Sequence, residues 1–274
     1  MGRRILAVFF VVFWGAATGR AAFEERPCGA RAAGLAGARF VPGDLWAGVA
    51  FPASLHGMRG LVIGAAASPA PFGLVELARS AGAVAMPAIL DGALLYASRF
   101  GFEAYREHEI GGALCARVTE NVSIGLGLRA YFVRVEGYGS AKAFGISAGL
   151  ACRLAEDLHW MVNADNLNQP RLGRSDERIP AVIAAAIAFT PTRSLRLLAL
   201  LSRESRFPLE TRCGVEFTPV AFLAVRGGFA LEPSTIAAGI GLNAGGVRFD
   251  YAYQEHPALG PTHTVSVELA PADF

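Results

Sequence analysis

The strongest constraint on this chain is a period of two in its side chains, repeated through most of its length. In residues 122–132 one face carries Val122, Ile124, Leu126, Leu128, Ala130 and Phe132. The other carries Ser123, Gly125, Gly127, Arg129 and Tyr131. A helix brings together residues three and four apart, so this spacing belongs to strands. The alternation recurs at 145–153, 210–217, 246–253 and 264–269, where Val265, Val267 and Leu269 oppose Thr264, Ser266 and Glu268. Turn signals separate the runs: Glu120-Asn121, Gly137-Tyr138-Gly139-Ser140, Glu156-Asp157, Pro191-Thr192, Thr218-Pro219, Glu232-Pro233-Ser234 and the stretch 243–246. Strands of roughly ten residues suit a tilted bilayer crossing, whereas soluble strands run nearer five or six. Between Gly60 and Leu269 the pattern predicts roughly 12–14 strands in an up-and-down meander.

Composition decides what encloses those strands. The chain is 53% apolar and 18% charged, with 32 glycines. Beyond the N-terminus no apolar run reaches the roughly 20 residues of a spanning helix. The longest, residues 181–189, is held between Pro180 and Pro191. Apolar bulk without spanning helices leaves a large soluble core or a closed transmembrane barrel. A soluble β-sandwich, the alternative, needs a polar second face. Here that face is glycine and alanine with single charges, Arg129, Arg153, Arg212, Glu216, Arg226, Arg248, Asp250 and Glu268. These are expected to point into a narrow, polar-sparse lumen, with the Val/Ile/Leu/Phe face against lipid. Residues 100–108 and 171–178, mixed and charged, read as longer loops or strand ends rather than domain boundaries.

The first residues read as an export signal: Arg3 and Arg4, an apolar run from Ile5 to Trp14, then Gly19-Arg20-Ala21 as a small-x-small cleavage site. The alternative is an uncleaved anchor. Cleavage after Ala21 removes Arg3, Arg4 and Arg20, taking the net charge from +2 to −1. A near-neutral chain carries no electrostatic case for nucleic acid. The four cysteines are too widely spaced for a disulfide framework. A Cys28–Cys115 bridge remains open.

Residues 29–55 lack the period of two. A glycine/alanine run is followed by Asp44-Leu45-Trp46-Ala47-Gly48-Val49-Ala50-Phe51-Pro52. Asp44 is placed to N-cap a short helix ending before Pro52. Because Trp46, Phe51 and Leu55 require burial, the segment is expected to fold into the lumen as a plug rather than trail as a periplasmic tail. The organisation is therefore a signal peptide at 1–21, a plug at 22–58 and a transmembrane barrel at 59–274.

Several motifs resemble the PorV/PorQ-type outer-membrane barrels, relatives of the FadL-type channels for hydrophobic compounds. Phe51-Pro52-Ala53-Ser54-Leu55 stands where that family has Asn-Pro-Ala-Gly-Leu. Asn166-Leu167-Asn168-Gln169-Pro170, Gly214-Val215-Glu216-Phe217, Ala224-Val225-Arg226-Gly227-Gly228-Phe229 and Asp250-Tyr251-Ala252-Tyr253 resemble its later motifs in order. Near the C-terminus Pro271 intervenes, so the last strand is expected to end near Ala270. The resemblance implies passage of a hydrophobic small molecule, or alternatively a non-transporting scaffold serving secretion-system proteins.

Chemistry finds little purchase. Gly145-Ile146-Ser147-Ala148-Gly149 matches a nucleophile motif by letter, but that chemistry needs a strand-to-helix turn and this stretch alternates as a strand. Glu156/His159 span a turn, and Glu107-His108-Glu109 reads as a solvated loop, so neither predicts a metal. His263 is read as hydrogen-bonding near Asp250 and Tyr253. No catalytic residue, metal or cofactor is expected. The lumen and ligand candidates are Trp46 and Phe51 in the plug and Arg129, Arg226 and Asp250 on the wall, with outer-membrane lipid as the surrounding partner.

Overall fold

A computed structural model describes residues 22–23, 29–87, 90–173 and 177–270. The predicted signal peptide (1–21) and Cys28 lie outside the described residues. Fourteen strands form the wall: β1 Val62–Ser68, β2 Arg79–Met86, β3 Gly92–Gly101, β4 Tyr105–Thr119, β5 Val122–Val135, β6 Gly139–Ala155 and β7 Leu158–Asp165. They continue as β8 Val182–Thr192, β9 Leu195–Glu204, β10 Glu210–Val220, β11 Leu223–Leu231, β12 Thr235–Ala244, β13 Val247–His256 and β14 Gly260–Leu269. Each pairs antiparallel with its sequence neighbour, and β1 pairs with β14, so the barrel closes without an edge. This is the all-β, antiparallel transmembrane barrel that the alternation predicts.

The register sorts the side chains as read from the sequence. In β5 and β6, Leu126 lies opposite Ala148 and Gly127 opposite Ser147. Leu126 and Leu128 are 62% and 66% exposed on the outside, while Ser123 and Tyr131 are buried inside. Leu95, Ile110, Phe144, Ile183 and Ile236 continue the exposed apolar surface around the wall. A surface this apolar is unfavourable in water and matches lipid. No helix among the described residues is long and apolar enough to cross a membrane.

The two ends of the barrel differ. At one, hairpins of two residues (120–121, 156–157, 193–194, 221–222, 245–246) join most strands. Gly245 and Gly246 both adopt positive φ, 58° and 84°, the backbone that a tight hairpin of matching twist requires. At the other end the connections include 69–78 and 166–181.

The structure sharpens three local expectations. Of the two readings for residues 100–108, loop or strand ends, the structure has strand ends: β3 runs to Gly101 and β4 starts at Tyr105. Glu107 faces inward, buried, accepting a hydrogen bond from the Tyr105 hydroxyl at 2.7 Å, and the polar outward residues Arg106 and His108 hide the apolar alternation. Pro191-Thr192 and Thr218-Pro219 lie within β8 and β10 rather than in turns. Both prolines sit inside register shifts (Phe189/Thr192 and Phe217/Val220), where an interrupted ladder tolerates a missing N–H. His263 faces outward, bonded to Tyr251 at 2.7 Å and packed on Tyr253, while Asp250 is on the opposite, lumen face.

Candidate functional site

Inside the wall lies the segment that precedes β1. It comprises helix α1 (Ala30–Gly34), helix α2 (Leu45–Ala50) and a 3-10 turn at Pro52–Gly57. Asp44 caps α2, accepting the Ala47 N–H at 2.8 Å. The sequence pattern contained no signal for α1. Its five residues are three alanines, a glycine and Arg31, and tertiary burial supplies what length does not.

The lumen glycines mark where this segment touches the wall. A Cβ at Gly228 would stand 2.5 Å from the Leu35 carbonyl carbon, and one at Gly125 only 2.2 Å from the Ala53 nitrogen. A Cβ at Gly239 would stand 3.1 Å from the Cα of Gly34, tight but less severe. At Gly125 and Gly228 backbone lies directly on backbone, which only glycine permits. At these points the glycine-rich face is covered by the N-terminal segment.

The lumen is also far from polar-sparse. Glu216 receives Arg31 through two bonds, at 2.8 and 2.6 Å, Arg226 at 2.7 Å and Arg196 at 2.7 Å. Arg31 reaches back to Asp44 at 2.9 Å, and Arg226 extends to Asp250 at 2.5 Å. Side chains of Glu216, Arg226 and Asp250 are no more than 6% exposed. Isolated charges at that depth are costly, and mutual pairing with near-complete hydrogen bonding makes them tolerable. The network pins α1 and the α2 cap to β10, β11 and β13. Arg31 and Asp44 escape a reading by parity because they lie outside any strand.

A second polar set holds α2 from the other side. Arg129 pairs with Asp165 at 2.8 Å and donates to the Val49 carbonyl at 3.1 Å. Asn163 donates to the Ala50 carbonyl at 3.0 Å, and Ser123 to that of Ala53 at 3.1 Å. The Cys115 thiol is free and donates to the same Ala53 carbonyl at 3.4 Å. Tyr131 donates to Asn166 at 2.8 Å, and Asn166 to the Pro180 carbonyl at 3.1 Å, which draws the 166–181 connection over the lumen.

The residues singled out from sequence fall into three places. Trp46 and Arg129 line a cavity of about 70 Å³ above α2, shared with Phe23, Tyr96, Tyr131 and Pro180. Phe51 lies apart, edge-on to Phe40 at 6.3 Å and beneath the Arg39 guanidinium. Arg226 and Asp250 belong to the Glu216 network. Phe23, Tyr96, Asp165 and Asn166 are participants that sequence reasoning missed. Phe23 sits above the upper cavity, its ring 4.8 Å from that of Tyr131. A second space of about 90 Å³ lies on its other side, toward β1–β3. Ser147 of the Gly-x-Ser-x-Gly stretch is a buried lumen residue within β6. No cluster suited to a metal occurs among the described residues.

No protein-family model matches the chain, and no curated protein matches it. Solved structures do. The CymD monoaromatic hydrocarbon channel superposes with a TM-score of 0.66 at 12% identity, covering 89% of this chain and 97% of that one. A Pseudomonas aeruginosa FadL homologue gives 0.62 at 13% identity, over 93% and 100%. The Pseudomonas putida toluene transporter TodX gives 0.62 at 11%, over 88% and 98%. At these identities the likeness establishes one thing, and it extends over nearly the whole length of each partner: this chain has the barrel fold of the FadL-type channels.

Proposed function

We propose that the protein is a plugged barrel of a Gram-negative-type outer membrane that admits a small hydrophobic molecule. The observation carrying this reading is the fold shared with barrels described as hydrocarbon channels, joined to a lumen whose upper cavity is walled by Phe23, Trp46, Tyr96 and Tyr131. Short turns then face the periplasm and the longer connections face outward, the usual orientation of such barrels. The upper cavity, about 70 Å³, is roughly half the 150 Å³ of an engineered cavity that takes benzene. Passage therefore requires the Phe23 ring or α2 to move. A scaffold serving secretion-system proteins gains no support from the loops: Leu172 and Ile179 of the longest are buried against Tyr131 rather than presented outward.

The test is uptake of radiolabelled toluene, with arabinose in parallel, by cells lacking other hydrophobic channels and expressing this barrel. Faster toluene uptake with unchanged arabinose uptake supports the proposal. Arabinose uptake without toluene uptake indicates a polar pore, and neither indicates a non-transporting barrel; both overturn it.

A further inference from the structure

At the short-turn end, below the plug, lies a cavity of about 370 Å³. Its wall is of two kinds. Val41, Pro42, Phe222 and Ala224 give it an apolar side. Against them stand five guanidiniums: Arg31, Arg59, Arg196, Arg226 and Arg248. Four of these are paired, Arg31, Arg196 and Arg226 within the Asp44–Glu216–Asp250 network and Arg248 with Glu268 at 3.3 Å. Four carboxylates thus answer four guanidiniums. Arg59, exposed at the cavity margin, has no ion-pair partner among the described residues, so its charge is the local surplus.

We propose that this vestibule binds a small organic anion: one carboxylate on an apolar body about the size of an aromatic ring. Arg59 supplies the charge contact, and the open flanks of Arg196 and Arg248, 27% and 20% exposed, border the same space. The volume is more than twice what benzene occupies in an engineered cavity. An inorganic anion answers the charge and leaves the apolar side wet. A neutral hydrocarbon covers the apolar side and strips water from the guanidiniums without replacing their hydrogen bonds. A carboxylate with an apolar body meets both halves. The site stands independently of what enters at the loop end.

The test uses the mature full-length protein in detergent micelles at low salt, with 4-fluorobenzoate followed by ¹⁹F NMR and empty micelles as the reference. Saturable binding is expected, weakened on the order of tenfold in Arg59→Gln and recovered in Arg59→Lys. Arg59 is exposed and outside the strands, so the variant should keep the wild-type shift between boiled and unboiled gel bands. Ala224→Trp, which fills the cavity from β11, should abolish binding as an independent check. Absence of saturable binding, affinity unchanged in both Arg59→Gln and Ala224→Trp, or equal competition by inorganic phosphate or by 4-fluorobenzyl alcohol would each overturn the proposal.

Discussion

Replacing Glu216 by glutamine should loosen the plug while leaving the barrel closed. The change keeps the volume and removes one charge at the point where three guanidiniums converge. Four N–H···O contacts of 2.6–2.8 Å end on this carboxylate. Its side chain is 6% exposed, so solvent screening gives little relief. After the substitution Arg31, Arg196 and Arg226 share only Asp44 and Asp250. Breaking a buried pair by removing one partner costs about 3–5 kcal/mol. The wall is a closed ladder of fourteen strands and does not rest on this network, so the loss falls on the docking of α1. At about 1.4 kcal/mol per factor of ten, the undocked population rises by roughly two to nearly four orders of magnitude. Hydrogen exchange of peptides spanning 30–50, with the gel shift on boiling as the control for an intact barrel, measures this directly. Unchanged exchange in that segment, with the barrel intact, would refute the view that the Glu216 network anchors the plug.

Three other outcomes follow from the geometry. Gly228→Val drives a side chain into the Leu35 backbone and should cost about 1–3 kcal/mol of plug docking by overpacking, seen as raised ion conductance in planar bilayers; silent conductance contradicts the backbone contact. Leu126→Arg, on the outer face, should destabilise by about 2–4 kcal/mol if mid-membrane, read from urea unfolding in vesicles, and an unchanged midpoint would mean that this face is not in lipid. At the short-turn rim, hydrogen bonds from the Arg117 backbone N–H and guanidinium, both 2.6 Å, hold the Asp91 carboxyl below the usual carboxylate range. A lowered carboxyl stabilises above its ordinary pKa and loses its effect only as pH falls through the lowered one. Asp91 should therefore stay ionised in an NMR titration where exposed aspartates have already protonated, and ordinary titration would show the clasp to be absent.

The wall was legible because burial inside and lipid outside impose opposite demands on alternate residues. That is why Leu126 against Gly127, or Val267 against Glu268, announces its facing without any coordinates. The Asp44 cap was legible for a similar reason, being a local bond between residues three apart. What the plug does to the lumen was not. Gly125 and Gly228 look the same in sequence whether they face water, a ligand or the backbone of residues 35–53, and only the fold says which. Arg31 and Glu216 are 185 residues apart, and no periodicity relates a strand charge to one in a short alanine-rich helix. Strand signals also fail where the outward face turns polar, as at Arg106 and His108 on either side of the lumen carboxylate Glu107.

The plug's contacts also carry a timetable. Helix α1 comes early in the chain, yet it rests on the last strands: the Ala30 N–H bonds to the Ser266 hydroxyl across 236 residues, and Gly34 packs against Gly239. Those strands, with the β1–β14 seam beside them, exist only when the whole meander has been laid down. Contacts this remote in sequence must wait for the intervening chain. Seating of the plug and sealing of the barrel are thus a single terminal event, and an assembly intermediate lacking β12–β14 would hold its N-terminal segment undocked.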